Sequence, residues 1–163
     1  MSLGLYLHIP YCFSKCRYCD FYSAPGQRSV PRAYVDALLR ELSRFAPDAP
    51  LRPDTLYFGG GTPSLLDPAD AARLIAAAQP LPGAEITLEA NPETVTEDSL
   101  RAFREAGVNR ISFGVQSARD SQLKTLGRPH TAKQARAAFA AARRAGFENI
   151  SGDIMPVSYT HLR

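Results

Sequence analysis

The sequence predicts an α/β fold built on a parallel sheet, and three observations lead there. Five short apolar runs, rich in β-branched or aromatic residues, alternate with helical patterns. The segments "REAGVNRISFG" and "RRAGFENISGD" echo each other 39 residues apart, at Gly107 and Gly146; each is a helix end, a glycine and a strand start. One βα unit repeated is the simplest account of both. The notable polar residues fall just beyond the strand runs, where chemistry gathers in parallel α/β folds.

The elements follow in order. "LGLYLHI" reads as the first strand. "PRAYVDALLRELSRF" reads as an amphipathic helix with Val35, Leu38, Leu39, Leu42 and Phe45 on one face. "APDAPLRPD" is a Pro-rich loop, and "TLYFGGGTPS" is a strand running into a glycine turn. Asp67 caps the next helix, with Pro68 at its first position and "ADAARLIAAAQ" as its body. "AEITLEANP" is the third strand. Thr96 caps "EDSLRAFREA", which Gly107 ends, and "VNRISFGVQS" is the fourth strand. "ARDSQLKTLGR" carries no assigned element. Thr131 and Gln134 form a capping box for "AKQARAAFAAARRA", Gly146 ends that helix, and "FENISGDIM" is the fifth strand. Strands alternating with helices imply right-handed crossovers; the count fits an open doubly wound sheet or a barrel.

The chain has 163 residues, 45% of them hydrophobic, enough for one domain with a core. Its 19 Lys and Arg against 16 Asp and Glu leave a net charge of +3, with no dense basic run, which argues against nucleic acid. No apolar run is long enough to span a bilayer. "MSLGLYLHIP" lacks the basic start and long apolar stretch of a signal peptide. The three cysteines cannot all pair within one chain. Their close spacing without a leader favours thiolate ligands in a reducing cytoplasm.

Cys12, Cys16 and Cys19 are spaced Cys-x3-Cys-x2-Cys. That loop brings three thiolates to one side of a turn, and soft thiolates suit an iron–sulfur cluster or zinc. In a cubane cluster, three thiolates leave one iron open to a substrate or cofactor. A structural zinc with His8 or His130 as fourth ligand is the alternative. Zinc sites usually show two separated Cys-x2-Cys knuckles, however, and no second pair exists here. The motif therefore favours the cluster.

With Tyr18 just before the last cysteine, the loop resembles that of the radical S-adenosylmethionine (SAM) superfamily. More narrowly, "YLHIPYCFSKCRYCDF", "GGGTPSLL", "EANPET", "RISFGVQS", "LGRPHT" and "ISGDIM" resemble the oxygen-independent coproporphyrinogen III oxidase-like group, in order from about Leu5 to Met155. The resemblance implies an incomplete (β/α)6 partial barrel with parallel strands 1–5 present, spanning residues 1–155. It implies a [4Fe–4S] cluster on Cys12, Cys16 and Cys19, whose open iron takes the amino and carboxyl groups of SAM. One electron from the cluster then cleaves SAM to a 5′-deoxyadenosyl radical that abstracts hydrogen.

Further residues carry both a local and a family reading. Gly59, Gly60 and Gly61 let backbone approach a ligand, although glycines also serve ordinary turns. By resemblance, Gly60, Gly61 and Thr62 contact SAM, with free backbone groups meeting its charged end. Glu89 could face solvent by alternation; the family places an acid there facing SAM, where its charge suits a sulfonium or ammonium. Gln116 could cap a helix with Ser117, and resemblance gives it a ligand contact. Arg128, otherwise a solvated arginine, reaches a carboxylate by paired hydrogen bonds in the family pattern. Asp153 lies by resemblance at a second SAM or substrate site. Tyr6 approaches the first SAM and Tyr18 the ligand face. His130 receives no ligand role; helix capping nearby accounts for it.

Two functions remain within the group. One is coproporphyrinogen III dehydrogenase, an oxidoreductase that decarboxylates two propionates to vinyl groups. The other is a haem-binding chaperone that keeps the cluster and SAM site and delivers haem to acceptor proteins. The dehydrogenase pattern has a further cysteine two residues after the third; here that residue is Phe21. "GVQS" and "LGRPHT" also lean towards the chaperone branch. The partners implied are haem or porphyrin, an electron donor protein and a haem acceptor. After "GDIM" the family pattern gives way to "PVSYTHLR", so residues 156–163 are expected to be a non-family tail on a truncated chain, with strand five an exposed edge and activity incomplete.

Overall fold

The computed structural model describes residues 2–45 and 50–155. The expected tail at 156–163 lies outside these, as do residues 46–49 of the Pro-rich loop. Five strands form one sheet: β1 (Gly4–Ile9), β2 (Thr55–Gly60), β3 (Glu85–Ala90), β4 (Arg110–Gln116) and β5 (Asn149–Ile154). Five α-helices connect or flank them: α1 (Arg32–Phe45), α2 (Pro68–Ala78), α3 (Glu97–Glu105), α4 (Asp120–Leu126) and α5 (Ala132–Arg144).

All neighbouring strands pair in parallel, in the spatial order β1-β2-β3-β4-β5. That order separates the two architectures that alternation leaves open. A doubly wound sheet reverses its strand order at a switch point, and none occurs here. With right-handed crossovers and no reversal, successive helices stay on one face. The result is an arc of a barrel. Among the described residues β1 and β5 each pair on one side only, so both are edges, as expected for β5.

Alternation along the strands sorts the two faces. Leu7, Ile9, Leu56, Phe58, Ile86, Leu88, Ile111 and Phe113 are buried in one core with Val35, Leu42, Leu74, Leu100, Phe103 and Phe147 from the helices and their turns. The opposite face carries Tyr6, His8, Tyr57, Thr87, Glu89, Arg110, Ser112, Ser151 and Asp153. Register aligns them in rows, with Glu89 beside Ser112, Ser112 beside Ser151 and Gly114 beside Asp153. A closed barrel usually fills this space with branched apolar residues. Polar side chains here leave an interior that can accept a ligand.

The helix ends follow their local chemistry. Asp67 accepts from Ala69 N at 2.8 Å, with Pro68 opening α2. Thr96 caps α3 reciprocally with Ser99, and Thr131 caps α5 with Gln134. Phe45, expected on the buried face of α1, is exposed as that helix's last residue. Helix α4 arises within "ARDSQLKTLGR", where no element was expected. It buries only Leu123 and Leu126 and ends at Gly127 in the left-handed conformation. One-turn 3-10 helices at Pro63–Leu65 and Pro92–Thr94 complete the turns after β2 and β3.

Candidate cluster and cofactor site

The cysteine loop leaves the C-terminal end of β1 and is pinned at its base. Tyr11 bridges Ala24, Cys12 N donates to Ala24 O at 3.0 Å, and Ala24 N donates to Pro10 O. Its far side docks on α4: Arg17 N donates to Leu126 O at 3.1 Å, satisfying a carbonyl that the helix end leaves open. Helix α4 thus serves to seat the loop. Gly127 lets Arg17 lie close, since a Cβ there would sit 3.2 Å from Arg17 Cγ.

One cavity at the C-terminal ends of the strands gathers most of the expected residues. Cys12, Cys16, Tyr18, Cys19, Gly60, Gly61, Thr62, Glu89, Gln116, Arg128 and Asp153 all line it. Tyr6 does not; it lies one row lower, stacked on Tyr57 with centroids 5.9 Å apart. Phe21 stands at the mouth, 68% exposed.

The thiols have distinct surroundings. Cys12 is buried, and its Sγ accepts from Thr62 Oγ1 at 3.6 Å. Cys16 Sγ accepts from Arg128 Nη1 at 3.2 Å. Burial pushes the Tyr18 phenol well above its ordinary pKa; nearby Arg128 opposes the rise, and Cys16 and Cys19 add to it. Burial works against the charge on Arg128, yet Cys16 and Tyr18 more than offset it, so its pKa is raised.

Glu89 spans two strands. Its Oε1 accepts from Tyr57 OH at 2.8 Å and its Oε2 from Gly60 N at 3.1 Å. Burial and then this bond raise the Tyr57 pKa far above the usual tyrosine value. Burial and the Glu89 charge likewise raise that of Tyr6. The glycine turn departs from expectation. Its N–H groups are not free: Gly60 N serves Glu89, Gly61 N donates to Ile9 O at 2.8 Å, and Thr62 N donates to Tyr11 O at 2.8 Å. The parallel ladder with β1 and the loop base has taken them. Backbone can therefore meet a ligand here only through carbonyl oxygens, which suit an ammonium rather than a carboxylate. The glycines are needed for packing as well. A Cβ on Gly61 would sit 2.7 Å from Tyr11 O and 2.9 Å from Cys12 Sγ, and one on Gly60 2.6 Å from the His8 ring.

Arg128 is less open than the paired fork implies. Nη2 donates to Asn91 Oδ1 at 2.6 Å and Gly114 O at 2.7 Å, and Nη1 to Cys16. Of the guanidinium's five N–H donors, Nε is buried without a partner and one Nη1 hydrogen is left. Asn91, which carried no sequence expectation, is a hub: its Nδ2 donates to Thr62 Oγ1 at 3.1 Å while its Oδ1 holds Arg128. It follows Glu89 by two residues, so strand alternation could have placed it on the same face. Ser112, also unforeseen, donates to Asp153 Oδ2 at 3.3 Å. Gln116 has left-handed backbone (φ 64°) beyond a bulge at Gly114/Gln116, an irregularity that re-aims a side chain.

Neither imidazole proposed for zinc joins the thiols. The His8 ring meets Tyr22 O at 3.0 Å and Tyr6 OH at 3.4 Å, and His130 meets Val115 O. Among the described residues no three His, Cys, Asp or Glu converge on one ion-sized point. A single zinc would draw its thiolates to about 2.3 Å of one centre. A cubane binds each thiolate through a different iron, around a space, and the three cysteines line one cavity. The thiol donors, the unpartnered Arg128 Nε and the Glu89 carboxylate fit a cluster carrying an amino-acid ligand.

A one-sided parallel arc with a three-cysteine loop above its C-terminal edge defines the class of an α/β partial barrel with a thiol-lined cavity. The family model described as the radical SAM superfamily matches residues 6–161, and the chain belongs to that superfamily. Membership implies a [4Fe–4S] cluster and SAM. The chain is 45% identical over 159 residues to the haem chaperone HemW of Escherichia coli, covering 94% of this chain and 42% of that protein. It is 40% identical over 162 residues to the mitochondrial radical SAM domain-containing protein 1 of Bos taurus, covering 93% and 36%. Among solved structures, coproporphyrinogen III oxidase HemN of Escherichia coli, a radical SAM enzyme, superposes with a TM-score of 0.83 at 31% identity, covering 94% of this chain and 37% of that one. The chain thus spans less than half the length of these relatives. Among the described residues no helix is long and apolar enough to cross a membrane.

Proposed function

We propose that this chain is the cluster- and SAM-holding part of a haem-handling radical SAM protein of the chaperone branch. The observation that carries the reading is the single cavity that brings the three cysteines together with Gly60, Gly61, Thr62, Glu89, Gln116, Arg128 and Asp153. Cys12, Cys16 and Cys19 would hold three irons. When bound, the cluster supplies one electron to SAM at the iron that no cysteine holds.

The chain's own residues position and shield. Tyr57 and Gly60 N fix the Glu89 carboxylate, whose charge faces an ammonium or sulfonium. The remaining donors of Arg128 take a carboxylate oxygen while Asn91 and Gly114 hold the guanidinium plane. Tyr18 and Thr62 cover two of the thiols.

Phe21 favours the chaperone over the dehydrogenase, since the fourth cysteine of the dehydrogenase pattern is missing, and HemW-named relatives at 38–45% identity agree. The HemN likeness keeps the dehydrogenase as the second reading. Haem titration and a coproporphyrinogen turnover assay on the anaerobically reconstituted full-length parent protein separate them. Stoichiometric haem binding without turnover is expected; turnover would move the protein to the dehydrogenase branch.

A further inference from the structure

His130 is 2% exposed and lies outside the cavity lining, and capping does not explain it, because Thr131 and Gln134 already cap α5. Its Nε2 sits 3.1 Å from Val115 O. A carbonyl oxygen only accepts, so the ring carries its hydrogen on Nε2. Val115 is the residue inside the β4 bulge, where the ladder is interrupted, and its carbonyl accepts from Ser117 N at 2.8 Å as well as from the ring. On either side stand the two groups that matter to the cavity. Gly114 O accepts from Arg128, and Gln116 carries the left-handed backbone.

The other ring nitrogen faces a different element. Nδ1 lies 3.2 Å from Oε2 of Glu93, in the one-turn helix after β3. The two atoms are close but make no hydrogen bond, and neither has a hydrogen-bond partner. The Glu93 charge also helps to hold Arg128 protonated. The bulge of β4, the turn after β3 and the segment leading into α5 therefore meet on one buried imidazole.

We propose that His130 is a positioning residue: donating to Val115 O and packed against Glu93, it locks the bulged end of β4 and so fixes Arg128 and Gln116 in the cavity wall. The ligand these residues serve rests on the proposed function; the lock itself does not. A purely space-filling histidine would affect melting alone.

The test uses the full chain with 15N-labelled arginine and histidine, in wild type, His130→Phe, His130→Gln and Glu93→Ala. In wild type the Arg128 guanidinium hydrogens should be resolved and slow to exchange, and His130 Nε2 protonated. His130→Phe should lose the Arg128 signals well below its melting temperature, and His130→Gln, which can still donate to Val115 O, should restore them. Glu93→Ala, which removes the group packed against Nδ1, should accelerate Arg128 exchange if the His130→Phe variant does not fold. SAM affinity after cluster reconstitution should fall roughly tenfold in His130→Phe with iron content unchanged. Folded His130→Phe and Glu93→Ala variants that keep wild-type Arg128 signals overturn the proposal. Signals that respond as expected in a protein that binds no SAM leave the lock standing and remove the functional reading.

Discussion

Arg128 donates Nη1 to Cys16 Sγ across 3.2 Å, joining a loop at the start of the chain to the segment after α4. The same guanidinium reaches Asn91 and Gly114, so one side chain ties the cluster loop, β3 and β4 together. Lysine would keep the charge but not these simultaneous planar bonds. Arg128→Lys should lower SAM affinity by about 1–3 kcal/mol, the size of a lost charge-assisted hydrogen bond, while iron content stays near wild type. Isothermal titration of the reconstituted protein checks it, and an unchanged affinity would remove Arg128 from the site.

Glu89 accepts from two donors, Tyr57 OH and Gly60 N. Glu89→Gln keeps the size but turns an amide N–H towards one of those donors. Stability should drop by about 1–3 kcal/mol, and SAM should bind more weakly because its cationic end loses a counter-charge. Denaturant melts and equilibrium binding read the two effects separately.

Gly61 sits where a Cβ would meet Tyr11 O and Cys12 Sγ at 2.7 and 2.9 Å. Gly61→Ala must push backbone or the thiol aside, at about 1–3 kcal/mol, and should lower iron content after reconstitution. Gly83→Ala is the control: its φ of +81° strains an alanine, but no atom lies within 4 Å of the added carbon. That variant should lose stability and keep its iron.

Tyr57 makes stability sensitive to alkali. Its folded pKa lies above the ordinary tyrosine value, from burial first and then its bond to Glu89. The unfolded chain therefore loses this proton first, so the contribution is complete below about pH 10 and declines as pH rises beyond it. Melting temperature should fall less steeply above that pH in Tyr57→Phe than in wild type. Parallel slopes would contradict the assignment.

The local motifs were legible because each is short and chemically specific. Cysteine spacing, the glycine run and the capping residues all lie within a few positions of one another. Glu89, Arg128 and Asp153 came with their flanking motifs, and the structure brings them to one cavity. What stayed hidden depends on long-range pairing. Asn91 looks like a turn residue until Thr62 and Arg128, 29 and 37 positions away, are seen on its two ends. The N–H groups of Gly61 and Thr62 looked free because their partners, Ile9 O at the end of β1 and Tyr11 O in the loop base, cannot be read from their own segment. Helix α4 spans seven residues, too few for a periodic pattern to stand out. His130 carried no role because the helix capping beside it, at Thr131, was reason enough for it; its contacts at Val115 and Glu93 come from other elements.

The central claim is that three cysteines hold a cluster with an iron left for SAM. Anaerobic reconstitution with iron and sulfide, followed by iron counting and electron paramagnetic resonance of the reduced protein with and without SAM, tests it most directly. About four irons per chain are expected, with a spectrum that changes when SAM is added and loss of the cluster in each of Cys12→Ser, Cys16→Ser and Cys19→Ser. Tight binding of a single zinc with no iron–sulfur absorption, or a cluster whose spectrum ignores SAM, would contradict it.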